Sequence, residues 1–282
     1  MARITDLLNA GRTFSFEFFP PKNDDEQERL ERTIRELEPL GPSFVSVTYR
    51  GGRISRERTT SVVLNLLHTT SITPMPHLTC VAHNRAELSE IVAGFNDAGL
   101  ENLLALGGDP LPEEEHQKEL EYAIELVELA RSLGTQSIGV AAHPVGHPRS
   151  ADRPTDRLRL AAKMELADFA ITQFFFHVEE WQRLVDELAA LGMDKPVIPG
   201  IYPITNLSSV KRMAGLSGYE VPRDIVERLE SVPEEDVRRV GIELACQLCS
   251  DLLEAGAPGL HFYTLNFSRA TREIYRSLGL AV

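Results

Sequence analysis

Short runs rich in Phe, Val, Ile and Thr recur about every 30 residues along this chain, each followed by a longer stretch of helical periodicity. The runs are 14–19, 44–49, 75–80, 102–107, 137–143, 169–175, 197–202 and 259–265. The helical stretches are 24–38, 57–69, 85–97, 118–133, 154–167, 179–191, 206–250 and 268–278, and 206–250 is long enough for at least two helices. Eight strand–helix units of this size predict an α/β fold, a (β/α)8 TIM barrel, which needs roughly 250 residues. A doubly wound open sheet is the alternative, but no G-x-G-x-x-G turn follows the first run. No low-complexity linker divides the 282 residues, so 1–282 is expected to form a single domain. The acidic stretch Pro112–Glu115 reads as a solvated loop.

In such barrels the site forms at the C-terminal ends of the strands. The first of these ends carries a carboxylate inside an aromatic run, Glu17 in Phe14-Ser15-Phe16-Glu17-Phe18-Phe19-Pro20-Pro21. An unpaired ionised carboxylate is costly to desolvate, so Glu17 is expected to be a proton carrier or to be paired with a buried cation. The remaining ends supply Thr48 and Tyr49; His77 and Thr79; Gly107, Gly108 and Asp109; His143 and His147; Thr172 and Gln173; Tyr202; and Tyr263, Thr264 and Asn266. Polar side chains at every end predict one shared site.

The formal net charge of −13 disfavours a nucleic-acid or anionic-membrane surface. No apolar run approaches the ~18 residues of a membrane span. The N-terminal residues form a short amphipathic start rather than a signal peptide. The three cysteines suggest no disulfide framework, and Cys246-x-x-Cys249 falls within a helical run, where core or helix surface is expected rather than metal or redox chemistry. A cytoplasmic enzyme is the default reading.

Individual motifs are less decisive. Gly107-Gly108-Asp109-Pro110 suits close backbone approach to a flat or phosphate-bearing ligand, and equally an ordinary turn. Asp109 is expected to point into the same mouth as Glu17. His143 and His147 sit in a proline-interrupted loop without the intervening Glu of a metalloprotease helix, so ligand hydrogen bonding is expected before metal. Asp156 and Lys163 share one helical face with Arg157 and Arg159 nearby, which alone reads as solvated charge. Trp181 and Phe174–Phe176 read as packing.

Taken in order, Phe14–Pro21, Phe44-Val45-Ser46-Val47-Thr48-Tyr49, Pro76-His77-Leu78-Thr79-Cys80, Ala170-Ile171-Thr172-Gln173-Phe174-Phe175-Phe176 and His261-Phe262-Tyr263-Thr264-Leu265-Asn266 resemble the 5,10-methylenetetrahydrofolate reductases. The resemblance implies a barrel that holds FAD non-covalently and a ping-pong reaction. NADH or NADPH reduces the flavin, which then passes hydride to methylenetetrahydrofolate to give 5-methyltetrahydrofolate. By position it implies Glu17 as general acid and Asp109 as the carboxylate that favours the iminium cation and tunes the flavin. It places Thr48, Tyr49, His77, Gly108, Asp109, His143, His147, Asp156, Arg159 and Lys163 on the cofactor, and Gln173, Asp109 and Arg269 on the substrate. It also implies a homo-oligomer.

The chain departs from that pattern at several positions. Gly107 stands where Arg is usual, and Arg50 where Gly is usual. His143 replaces an aromatic residue, Ala162 a second cation that Arg159 is placed to supply, and Ser209 a Gln. Phe267 replaces a polar residue, with Arg269 placed to take the folate's glutamate tail. Two other readings stay open: a paralogue with weakened or absent flavin binding or a different pterin substrate, and a non-catalytic barrel that binds folate or a protein.

Overall fold

A computed structural model describes residues 2–49, 53–109 and 119–280. Helix α1 (Ile4–Ala10) precedes β1 (Thr13–Phe18), α2 (Asp24–Leu37), β2 (Phe44–Val47), α3 (Arg53–Thr69), β3 (Pro74–Thr79) and α4 (Arg85–Asp97). Then come β4 (Asn102–Leu106), α5 (Ala123–Ser132), β5 (Ser137–Ala142), α6 (Arg153–Leu166), β6 (Phe169–Thr172) and α7 (Val178–Ala189). The chain continues through β7 (Val197–Ile198), β8 (Gly200–Ile201), α8 (Leu207–Leu216), α9 (Arg223–Glu230), α10 (Glu234–Glu254), β9 (Gly259–Tyr263) and α11 (Arg269–Ser277).

The strands pair in parallel in the order β7-β6-β5-β4-β3-β2-β1-β9-β8. Segments β7 and β8 are halves of one run, parted at Pro199. The first half pairs with β6 and the second with β9, while the Pro199 carbonyl accepts from the His261 N–H at 2.9 Å. Proline has no N–H to give, so the ladder lapses at the residue that cannot donate. The sheet returns on itself through this run, and the expected barrel is the observed architecture.

Element ends differ from the sequence expectation in instructive places. Helix α5 starts at Ala123 rather than 118, because the Glu125 carboxylate accepts the N–H groups of Glu121 and Tyr122 at 2.7 Å each and fixes the first turn there. The stretch 206–250 holds three helices, parted before Pro222 and Pro233, each of which stands at an N-cap. Helices α2, α4, α6 and α8 begin where Asn23, Asn84, Asp152 and Asn206 cap them through their side chains. Arg50 and Pro112–Glu115 lie outside the described residues. Among the described residues no helix is long and apolar enough to cross a membrane.

The period-two alternation of β1 resolves its odd composition. Phe14, Phe16 and Phe18 face the helices, where Phe14 and Phe16 pack on Tyr275 of α11 with ring centroids 6.1 and 5.4 Å apart. Burying each such ring contributes about 1.5–3 kcal/mol. Ser15 and Glu17 take the opposite face, into the barrel. The N-terminal floor is plugged by Ile4, Phe44, Met75, Leu104, Phe169, Ile171 and Ile198. Helix α1 is held there by Asn102, whose Oδ1 accepts the Ile4 N–H at 2.8 Å. Cys249 is buried in the main core and Cys246 packs against it, and burial pushes both thiols up.

Candidate active site

Above the plug the barrel wall is polar on one side. Register sets Glu17 beside Ser46 of β2 and Tyr263 of β9, and Ser15 beside His261 of β9. His77 and Thr79 continue the same face on β3. Glu17 is buried, its Oε2 3.5 Å from His77 Nε2 and 3.7 Å from His261 Nε2. Burial drives the His77 ring down to about 4, against an opposing pull from Glu17, so the imidazole is neutral near pH 7. His77 Nε2 and Thr79 Oγ1 are buried and make no hydrogen bond among the described residues.

Several polar strand ends are spent on the fold. Thr264 Oγ1 donates to the Glu17 carbonyl at 2.6 Å, and Tyr263 OH crosses the barrel to the Thr172 carbonyl at 2.6 Å. Asn266, with φ of 59°, pairs both amide atoms with the Phe19 backbone at 2.9 Å. The Tyr202 hydroxyl meets Ser209 Oγ at 2.9 Å. Tyr49 belongs to the outer core, its hydroxyl bonded to His83, and Thr48 is half-buried with its carbonyl bonded by Thr59. The structure therefore does not bring Tyr49 to the polar wall.

The loops after β4 and β5 meet over the mouth. Gly108 has φ of 80°, and a Cβ there would fall 2.8 Å from Val81 Cγ1, so both space and conformation require glycine. The Asp109 side chain is 97% exposed and faces Arg149, whose Nη2 lies 3.7 Å away and also donates to the Gly108 carbonyl at 3.2 Å. His143 bonds the Tyr219 hydroxyl at 2.5 Å and meets the His147 ring edge-on at 4.5 Å. His143 is pushed down to about 3, chiefly by burial and then by His147 and the cations Lys163, Arg157 and Arg149. His147 is lowered for the same first reason, and its Nδ1 accepts the Arg149 N–H at 3.0 Å.

The charged face of α6 is not solvated as its sequence suggests. Arg157 is buried and donates to Asp156 at 2.6 Å, Glu187 at 2.7 Å, and the His143 and Pro144 carbonyls at 3.0 and 2.5 Å. Asp156 is thus held by Arg157 and also by Ser150 at 3.4 Å. Lys163 donates to the Ala141 carbonyl at 2.8 Å, and burial lowers it to about 8 against the pull of Asp156. Arg159 is exposed. Gln173 accepts the Phe174 N–H on Oε1 at 3.0 Å, leaving its amide hydrogens for a ligand. Arg269, 79% exposed, pairs with Glu273 of its own helix at 3.2 Å. Ser15, Ser46, His261, Arg149, Arg157 and Tyr219 also belong to this site, and none of them is marked by the strand ends. Period two points to the first three, which share the inward face with Glu17.

The flavin that the resemblance implies fits the β3–β4 side of this mouth. His77 and Thr79 offer buried, unspent polar atoms there, and Lys163 and Arg149 supply cations from the β5 side. Asp156 and His143 already have protein partners.

A family model described as methylenetetrahydrofolate reductase matches residues 3–279. The 5,10-methylenetetrahydrofolate reductase of Pectobacterium carotovorum subsp. carotovorum is 36% identical over 94% of this chain and 90% of its own. That of Escherichia coli (strain K12) is 35% identical over 99% and 94%. Among solved structures, a Clostridium thermocellum protein described as binding two copies of 5-methyl-5,6,7,8-tetrahydrofolic acid superposes with a TM-score of 0.66 at 14% identity, covering 99% of this chain and 98% of that one. Dihydropteroate synthase from Thermus thermophilus follows at 0.51 and 16% identity, over 95% and 94%, and both likenesses are of fold alone. A family model spanning nearly the whole chain, with relatives more than a third identical at full length, leads to one conclusion: the chain belongs to the methylenetetrahydrofolate reductase family.

Proposed function

We propose that this chain reduces 5,10-methylenetetrahydrofolate to 5-methyltetrahydrofolate in a ping-pong cycle, with NADH or NADPH as electron donor and non-covalent FAD as carrier. Family membership makes it an oxidoreductase of folate chemistry; the cofactor, the donor and the residue roles are our reading. The observation that carries it is the buried Glu17 carboxyl on the polar wall, faced by two imidazoles and by no Lys or Arg within ion-pair distance among the described residues. Such a group is built to hold or release a proton rather than to satisfy a salt bridge.

When bound, the flavin supplies hydride transfer. The protein's part is placement and proton control. Glu17 donates the proton that opens the folate's five-membered ring to an iminium. Asp109 stabilises that cation, a role that grows once the ligand covers this carboxylate and excludes water. Gln173 offers its amide to the folate or nicotinamide. His77, Gly108, Lys163 and the loop carrying His143 and His147 hold the flavin. We read residues 1–282 as one catalytic domain, acting in the cytoplasm as a homo-oligomer on small molecules.

A visible spectrum of the purified protein tests this, followed by anaerobic NADH or NADPH and then methylenetetrahydrofolate. Flavin absorbance should bleach with nucleotide and return with folate. Bound flavin that neither nucleotide bleaches removes the donor step. Glu17→Gln should leave bleaching intact and slow the return by roughly 10²–10⁴-fold; an unchanged return removes the acid role. The engaged state of Asp156 and His143, with Gly107 in place of a cation, favours a second reading in which flavin is held weakly or replaced, or a different pterin is reduced. FAD-free protein that takes up no FAD at high micromolar concentration selects that reading.

A further inference from the structure

His261 is completely buried in β9, with Nδ1 2.8 Å from Ser15 Oγ and Nε2 3.3 Å from Ser46 Oγ. Ser15 Oγ also lies 3.4 Å from the Leu260 carbonyl. Three hydrogens must find acceptors here, one from each hydroxyl and one from a neutral imidazole. If Ser46 donates to Nε2, then Nδ1–H donates to Ser15 Oγ and Ser15 donates to the Leu260 carbonyl, so all three are met. In the other tautomer Ser15 donates to Nδ1 and Nε2 carries the hydrogen. The Ser46 hydrogen then lacks an acceptor among these contacts. A buried hydroxyl without an acceptor is strongly disfavoured, and Ser15 and Ser46 are as fully buried as His261. The first tautomer therefore prevails.

That tautomer offers no hydrogen to Glu17 Oε2, 3.7 Å from Nε2, because the single Nε2 lone pair is taken by the Ser46 hydrogen. A carboxylate denied this donor lacks a hydrogen bond that would favour its charged form. The other titratable groups facing Glu17 are His77 on β3, at 3.5 Å, and Tyr263 on β9, whose hydroxyl is given to Thr172. Strand β2, on the remaining side, carries Phe44, Val45, Ser46 and Val47, none of which titrates. We infer that Ser15, Ser46 and His261 act as a positioning chain that favours the proton-donating form of Glu17 by withholding the Nε2 hydrogen from its carboxyl. The chain ends blind in the barrel core, so it sets the state of Glu17 and carries no proton from solvent. Its catalytic meaning rests on Glu17 as the donor proposed above.

Ser15→Ala removes the acceptor of Nδ1–H, and Ser46→Ala removes the donor to Nε2. Each frees His261 to place its hydrogen on Nε2 and donate to Glu17. The readout is the carbonyl stretch of the protonated Glu17 carboxyl in infrared spectra across pH, identified by its loss in Glu17→Gln. Both variants should lose this band about one pH unit lower than the parent, a tenfold change in the ionisation equilibrium. The alkaline limit of folate reduction should move with it, while flavin reduction by nucleotide holds. A band that stays in place in the variants that fold, or that never appears in the parent, overturns the inference. Should Glu17→Gln reduce folate normally while the band still shifts in the serine variants, the donor reading falls and the positioning chain stands.

Discussion

Arg149 reaches from the loop after β5 to the turn after β4, its Nη2 bonded to the Gly108 carbonyl at 3.2 Å and 3.7 Å from the Asp109 carboxylate. It thus brings a guanidinium to the turn that holds Gly107, where the resemblance implies an Arg. Both partners are largely exposed, so the pair contributes at most about 1 kcal/mol to stability. Arg149→Ala should leave the melting temperature nearly unchanged yet weaken FAD binding several-fold, the scale of about 1 kcal/mol of lost attraction to an anionic ligand. Arg149→Lys should fall between, keeping charge without the fork. Flavin fluorescence quenching on FAD-free protein measures all three, and equal affinities would separate Arg149 from the ligand.

Lys163 gives a pH signature on the same ligand. Burial lowers it to about 8, so it is charged below that value and neutral above it. An anionic ligand favours the charged form and pulls the titration upward on binding. FAD affinity should accordingly fall as pH rises through about 8, and Lys163→Gln should bind more weakly at neutral pH with that dependence flattened. Affinity that stays level from pH 7 to 9 in the parent (a range of roughly 2 pH units around the expected transition) would detach Lys163 from the flavin.

The barrel was legible because each unit repeats a local pattern of apolar strand, capped helix and turn. Glu17 stood out for the same reason, as a carboxylate where the alternation is aromatic. The rest of the site was harder to read because its determinants are long-range. Arg149 meets Gly108 from 41 residues away and His143 meets Tyr219 from 76. No periodicity encodes such pairings. Arg157 follows Asp156 in a helix rich in charge, and only the packing of α7 behind it, with Glu187, makes that face buried. His261 is not marked by the strand ends, because it pairs with Ser15, one inward layer below Glu17 and Tyr263.

Acid should destabilise the fold through His77. Its ring titrates near 6.5 when unfolded and at about 4 when folded, so the unfolded chain binds the extra proton between those values and stability falls as pH falls. Above about 6.5 both states are neutral and the ring costs nothing. Between pH 7 and pH 5 its share is about 2 kcal/mol. Denaturant unfolding at the two pH values should show that loss in the parent, and a loss smaller by about that amount in His77→Gln. His143 follows the same direction, so part of the slope survives the substitution. An identical slope in both proteins would mean that His77 protonates freely in the folded state.

Arg157 ties the site to the fold most tightly. Its guanidinium holds Asp156 and Glu187 on one side and the His143 and Pro144 carbonyls on the other, so one side chain fixes both the carboxylate and the loop. Replacing it with Met leaves Asp156 buried beside an apolar chain and strips two carbonyls of their donor. Losing one partner of a buried pair costs about 3–5 kcal/mol. Arg157→Met should unfold at clearly lower denaturant, and Asp156→Asn added to it should recover part of the loss by removing the stranded charge. If instead the single variant is as stable as the parent, water or another cation reaches Asp156, and the loop that carries His143 and His147 is held by contacts other than Arg157.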